Sequence, residues 1–197
     1  MSIKGLAICL SSSILAPIIV MSAAGTAHAH NDDRDRGGEH KRYEPKHHQG
    51  ELVRVVREST KRFKDVNRAM AEGYQLLFGC VSGPDAGAMG LHYVNMALVG
   101  DGVLDPRRPE IVIYEPLPNG GRRLIGADFL VFADAWHASN VGTPELGGQL
   151  LHLFESPNRF GLPAFYTLHV WAWKPNPTGA FVNWHSDVSC EQFDGQE

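Results

Sequence analysis

The chain has 197 residues, with 18 Lys and Arg against 22 Asp and Glu, a formal net charge of −4, and 43% apolar residues. That is enough for one ordinary hydrophobic core plus an appendage, and the acidic balance argues against a nucleic-acid binder held by phosphate contacts. With 21 Gly and 12 Pro the chain reads as a loop-rich globular fold and not a disordered one.

Residues 1–29 read as a secretory signal. Lys4 supplies the positive start, Leu6 to Val20 a mostly apolar core, and Ala27-His28-Ala29 the small residues before a cleavage point. The serines at 11–13 and the short apolar length argue against a membrane anchor, so no membrane span is expected after cleavage. The expected location is secreted or periplasmic. Loss of Cys9 leaves Cys80 and Cys190, which an oxidising compartment would join in one disulfide across most of the domain. Such a bridge stabilises by about 3–5 kcal/mol in the chain-entropy account. Residues 30–50 are dense in charge and histidine, with nothing apolar to bury, and read as a flexible arm. Residues 51–197 are expected to form a single α+β domain.

Glu51 to Glu72 reads as one amphipathic helix: Leu52, Val56, Ser59, Phe63, Val66 and Met70 recur at four-three spacing, and Gly73 suits a C-terminal cap. Everything beyond punctuates like β-structure. Ser82 to Gly87 is turn chemistry, Gly90 to Asn95 a short strand and Glu110 to Glu115 a second. Pro118-Asn119-Gly120-Gly121 turns the chain into a returning strand, Arg123 to Phe132. Ala133 to Pro163 is too long for a plain connector and is expected to cover something or to hold a short helix. Ala164 to Trp173 is the strongest strand signal. The expected fold is one N-terminal helix packed on an antiparallel sheet of four or more strands.

Strand alternation puts Phe165, Thr167, His169, Trp171 and Trp173 on one face, and Tyr166, Leu168, Val170 and Ala172 on the other, which suits the helix. The first face, aromatic with polar groups among the rings, has the make-up of a ligand cavity. His92, Glu115 and His169 are the leading candidates for chemistry. Two imidazoles and a carboxylate on neighbouring strands suit Zn, Fe, Mn or Cu with positions left open for water or substrate. Without a metal they would serve as acid, base and orienter. Tyr93, Trp171 and Trp173 are the candidate rings for holding a small molecule. Met89, three residues before His92, would add a thioether that favours copper. His185 gains interest only if the fold brings it near His169. There is no nucleophile elbow, Walker loop, dinucleotide fingerprint or haem-attachment motif.

The segments Gly87 to Asn95 (GAMGLHYVN), Pro109 to Pro116 (PEIVIYEP), Leu168 to Trp173 (LHVWAW), Asn176 to Gly179 (NPTG) and Val188 to Cys190 (VSC) resemble those of a family of exported bacterial proteins of unknown function. The resemblance spans roughly Thr60 to Cys190 and implies an exported domain, with no activity or cofactor to carry over. Where similar chains tend to read Trp-Asn-Pro, this one has Trp184-His185-Ser186, which puts an essential role for His185 in doubt.

Taken together, the residues lead to an exported domain with a histidine/carboxylate pocket on one sheet face. The pocket would bind a metal ion or small ligand and support metal-assisted hydrolysis or oxidation. The alternatives are a non-catalytic small-molecule binding module, and a structural or partner-binding envelope protein whose histidine face is packed solid.

Overall fold

The N-terminal helix forms where the apolar stripe predicts it, but it is interrupted. The structure, a computed structural model, describes residues 46–195, which fall in one compact unit. The signal segment at 1–29 and the arm at 30–45 lie outside the described residues.

Helix α1 runs Lys46–Thr60, so it starts within the stretch read as arm, and a 3₁₀ turn follows at Lys61–Lys64. Asp65 then takes an extended backbone and its side chain accepts from Asn67 N, capping a second helix, α2, at Val66–Ala71. The cap ends the continuous helix expected to run to Glu72 and shifts its phase. Leu52, Val56 and Phe63 are buried as the stripe requires, whereas beyond the break Ala69 takes the inward position and Met70 is exposed. Gly73 follows in the left-handed conformation at φ +93°, the geometry of a helix terminator.

A six-stranded antiparallel sheet makes up the rest, in the order β1-β2-β3-β4-β8-β7. Its strands are β1 Gln75–Gly83, β2 Gly87–Val94, β3 Ile111–Pro116, β4 Arg122–Phe132, β7 His152–Phe154 and β8 Phe165–Val170. A short helix α3 at Met96–Val99 follows β2. The long segment from 133 to 163 holds helix α4 (Ala133–His137), a small hairpin of β5 (Glu145–Leu146) and β6 (Gln149–Leu150), and the edge strand β7. No helix among the described residues is long and apolar enough to cross a membrane.

Each face of the sheet has its own core. On one, Leu52 and Val56 pack with Phe129, Val131, Leu168 and Val170, while Phe63 packs with Tyr74, Leu91, Tyr93 and Tyr114. On the other, Val94, Ile113, Ile125, Phe165, Trp171 and Val188 cluster together. Burying about 25 cal/mol per Å² of apolar surface on both sides is what fixes the register. The Cys80–Cys190 disulfide ties β1 to the C-terminal segment.

Candidate functional site

The split of β8 into two faces is as alternation demands for Phe165 to Trp171: Phe165 and Trp171 join the core on one side, Tyr166, Leu168 and Val170 the helix-side core. Trp173 departs from it. The strand ends at Val170, Trp173 N and Lys174 N both donate to Ile125 O, and the indole turns to the helix side. There its Nε1 donates to Thr60 Oγ1 at 3.0 Å and the Lys64 ammonium sits 4.3 Å from the ring centroid. Tyr93 is likewise on the helix side, edge-on to Tyr114, opposite in direction to its neighbour His92. Of the three rings expected to hold a ligand, only Trp171 shares the histidine face.

Registry brings the histidines together. His92 stands opposite Ile113 on β3; across β4, Asp128 pairs with Ile111 on one side and with His169 on the other. One donor atom each from His92, Asp128 and His169 lies within 4.8 Å of the others, and among the described residues they form the one such group. The two imidazoles sit edge-on with ring centroids 5.7 Å apart. All three side chains are buried, at 6%, 3% and 3% exposure.

Glu115, expected to be the carboxylate of this set, is engaged elsewhere. It lies beyond the irregularity after Ile113 on β3, where Arg123 donates to Oε2 at 2.5 Å and Lys174 to Oε1 at 2.6 Å. Burial pushes its carboxyl up, but the bonds from Lys174 and Arg123 outweigh that and hold it below the usual range. Asp128 stands with the histidines in its stead. The signal for Asp128 was in the sequence: it is the lone carboxylate inside Ile125 to Phe132, an otherwise apolar strand, and buried carboxylates are rare unless paired.

The electrostatics of the trio follow from burial. Desolvation pulls His92 down to about 4, with His169 adding to the fall, and pulls His169 down to about 3. It pushes Asp128 up to about 6. At neutral pH the set is therefore two neutral imidazoles and one carboxylate, the protonation state in which all three donate electron pairs to a cation. His92 Nδ1 lies 3.1 Å from Gly90 O, and since a carbonyl only accepts, Nδ1 carries the proton and Nε2 the lone pair. Thr167 Oγ1 donates to Asp128 Oδ1 at 2.5 Å and orients it. Both ring nitrogens of His169 are buried without a well-aligned hydrogen bond; the Asn183 side chain lies near enough to favour the protonated ring slightly, but its Oδ1 also lacks a partner of good geometry.

The trio lines a small recess with about 30 Å³ open to water-sized spheres, walled by Phe78, Met89, Phe154, Phe160, Leu162 and Phe165 among others. A water takes roughly 10–15 Å³ by comparison, so there is space for a small ligand beside an ion. Met89 thus lies in the wall, outside the donor set.

The remaining histidines sit apart from the trio. His185 is buried; its Nδ1 accepts from Asp187 N at 3.2 Å and its ring meets Trp171 edge-on, 4.9 Å between centroids. Trp171 separates it from His169. His137 Nε2 pairs with Tyr166 Oη at 3.0 Å, and His152 is exposed on the edge strand opposite Thr167.

Bonds of about 2.1 Å at tetrahedral angles place ligand atoms roughly 3.4 Å apart, a spacing that the trio's 4.8 Å limit exceeds by little more than 1 Å. Two imidazoles and one carboxylate make up the facial donor set of non-haem iron sites and also suit zinc or manganese, with open coordination positions in each case. The geometry is close enough to hold a metal ion. Set against models of protein families, curated proteins and solved structures, the chain matches none of them.

Proposed function

We propose that this chain is an exported metalloprotein in which His92, Asp128 and His169 hold one divalent transition metal at the base of the apolar recess. The observation that carries this reading is the buried trio itself. Among the described residues Asp128 is a buried carboxylate with no Lys or Arg ion-pair partner, met only by the Thr167 hydroxyl and by backbone N–H groups of Phe129 and Leu168, and neither His169 ring nitrogen makes a well-aligned hydrogen bond. Each such group costs about 1–3 kcal/mol unless something compensates it. A cation bound by one nitrogen of each ring and one Asp128 oxygen offsets the carboxylate's charge and engages one of the two His169 nitrogens at the same time.

The metal, when bound, supplies Lewis acidity or redox chemistry, and the reaction class that fits is metal-assisted hydrolysis or oxidation. The chain's own residues would do the rest. Gly90 O fixes the tautomer and direction of His92. Thr167 anchors Asp128. The aromatic wall excludes bulk water and strengthens every charge interaction inside it. Export is supported by the signal-like residues 1–29, the family resemblance of the GAMGLHYVN and LHVWAW segments, and the Cys80–Cys190 bridge, which belongs to an oxidising compartment.

Elemental mass spectrometry on untagged protein tests the assignment. Near one zinc, iron, manganese or copper per chain is expected, falling below a tenth of that in His92→Ala, Asp128→Asn and His169→Ala. Metal that survives all three substitutions, or none bound after loading, would remove the proposal. A chain lacking residues 30–45 distinguishes adventitious binding by His30 and His40.

A further inference from the structure

The recess above the trio is chemically one-sided. Apart from the trio, the polar side chain in its lining is Thr167, whose hydroxyl is already given to Asp128. Among the described residues no other charged side chain lines it. A divalent ion with one carboxylate and two neutral imidazoles keeps a net charge of +1 in these surroundings. A single negative charge on an incoming molecule cancels it; a second charge, or a polar group further out, would be left unpaired against Phe and Leu.

The mouth of this recess is built unusually. Leu77 pairs with His92 and Cys80 pairs with Leu91, so Phe78 and Gly79 are bulged out of the β1–β2 ladder. Both have left-handed backbones, φ +64° and +62°, and for a residue as bulky as phenylalanine that conformation is a marked exception. Strain of this kind concentrates at ligand clamps and gates. The Phe78 ring meets Phe160 edge-on at 5.5 Å, yet Phe78 is 42% exposed. It lines both the recess and a second apolar space of about 20 Å³ walled by Val94, Met96 and Val99, as do Ile111, Leu130 and Leu162. A ring outside the ladder can swing without breaking a strand pair. Because Phe78 lines both spaces, such a swing would join them.

We propose that the centre takes a small monoanionic molecule with an apolar body, its charged head on the metal and its body between Met89, Phe154, Phe160 and Leu162, and that Phe78 sets how long that body can be. This rests on the metal-centre reading. Phe78 is a specificity-determining residue here and takes no part in the bond-making.

The test uses the full chain loaded with Co(II), whose visible absorption reports each exchange of ligand, titrated with acetate, butanoate and octanoate. In the wild type butanoate binds about tenfold more tightly than acetate, as two further buried methylenes require, and octanoate gains little beyond that. Phe78→Gly, which suits the left-handed backbone, raises octanoate affinity about tenfold and leaves acetate unchanged; Phe78→Trp lowers butanoate affinity. Phe160→Ala, on the other side of the mouth, shifts octanoate in the same direction as Phe78→Gly. Co(II) bands that respond equally to all three acids in every variant overturn the assignment of ligand class and gate while leaving the metal centre standing. Absence of Co(II) bands dependent on His169 overturns both.

Discussion

Asp128 and His169 are a directly opposed pair on β4 and β8, yet Asp128 Oδ1 stands 3.6 Å from His169 Nδ1, beyond hydrogen-bond reach. The carboxylate turns to Thr167 instead, and neither His169 nitrogen makes a well-aligned hydrogen bond, the nearby Asn183 side chain included. Two buried polar groups placed side by side without bonding one another make a poor structural pair and a good pair of ligands. The first prediction follows from that. With chelator present, Asp128→Asn is more stable than the wild type at pH 8 by about 1–2 kcal/mol, because a buried charge is removed while an acceptor for Thr167 remains. Urea denaturation measures it; a loss of stability would mean that the charge is compensated by something other than a metal.

Glu115 should be separable from the centre. Glu115→Gln weakens the pairs with Arg123 and Lys174 and costs about 1 kcal/mol, a modest value because the Arg123 side chain is 58% exposed. Metal content stays that of the wild type. Loss of metal on this substitution would restore Glu115 to the donor set.

Glu110 gives the fold a pH dependence of its own. It is 1% exposed, accepts from Leu130 N at 3.1 Å through Oε2, and burial pushes it up to about 8 from an ordinary 4.5. The folded state therefore holds the proton that the unfolded state releases, so the contribution of Glu110 to stability is complete below pH 4.5 and declines as pH rises toward 8, by up to about 1.4 kcal/mol per unit. Glu110→Gln flattens this decline and is the more stable protein at pH 8 by about 1–3 kcal/mol. Denaturation midpoints at pH 5 and 8 for both proteins decide it; parallel pH curves would contradict the burial of an uncompensated carboxyl.

The Cys80–Cys190 bridge spans a sequence separation of 110. Its removal in a Cys80→Ser, Cys190→Ser double variant is expected to cost about 3–5 kcal/mol. An unchanged midpoint would show that β1 and the C-terminal segment are held by other contacts.

What could be read from the sequence was what has a local period or a local chemistry. The two faces of β8, the turn at 118–121 and the disulfide all follow from alternation, turn residues and cysteine count. Strand β1 was hidden because the Phe78–Gly79 bulge breaks its alternation. The helix break was hidden because Asp65 sits inside an unbroken apolar stripe and acts as a cap only once Asn67 N turns to it. Exchanging Glu115 for Asp128 is a matter of register. Both are carboxylates on predicted strands, and only the pairing of β4 with β8 shows which of them faces His169. Trp173 leaves the face that alternation predicts for it because the strand stops at Val170, three residues sooner than its β-rich composition suggests.

The most direct measurement is X-ray absorption at the metal edge of the loaded chain. A first shell of nitrogen and oxygen at about 2.0–2.2 Å with the outer-shell scattering of two imidazoles is the predicted result, reduced to one imidazole in His169→Ala. A shell containing sulfur, or one with no imidazole that disappears on His92 or His169 substitution, would contradict a centre built from His92, Asp128 and His169.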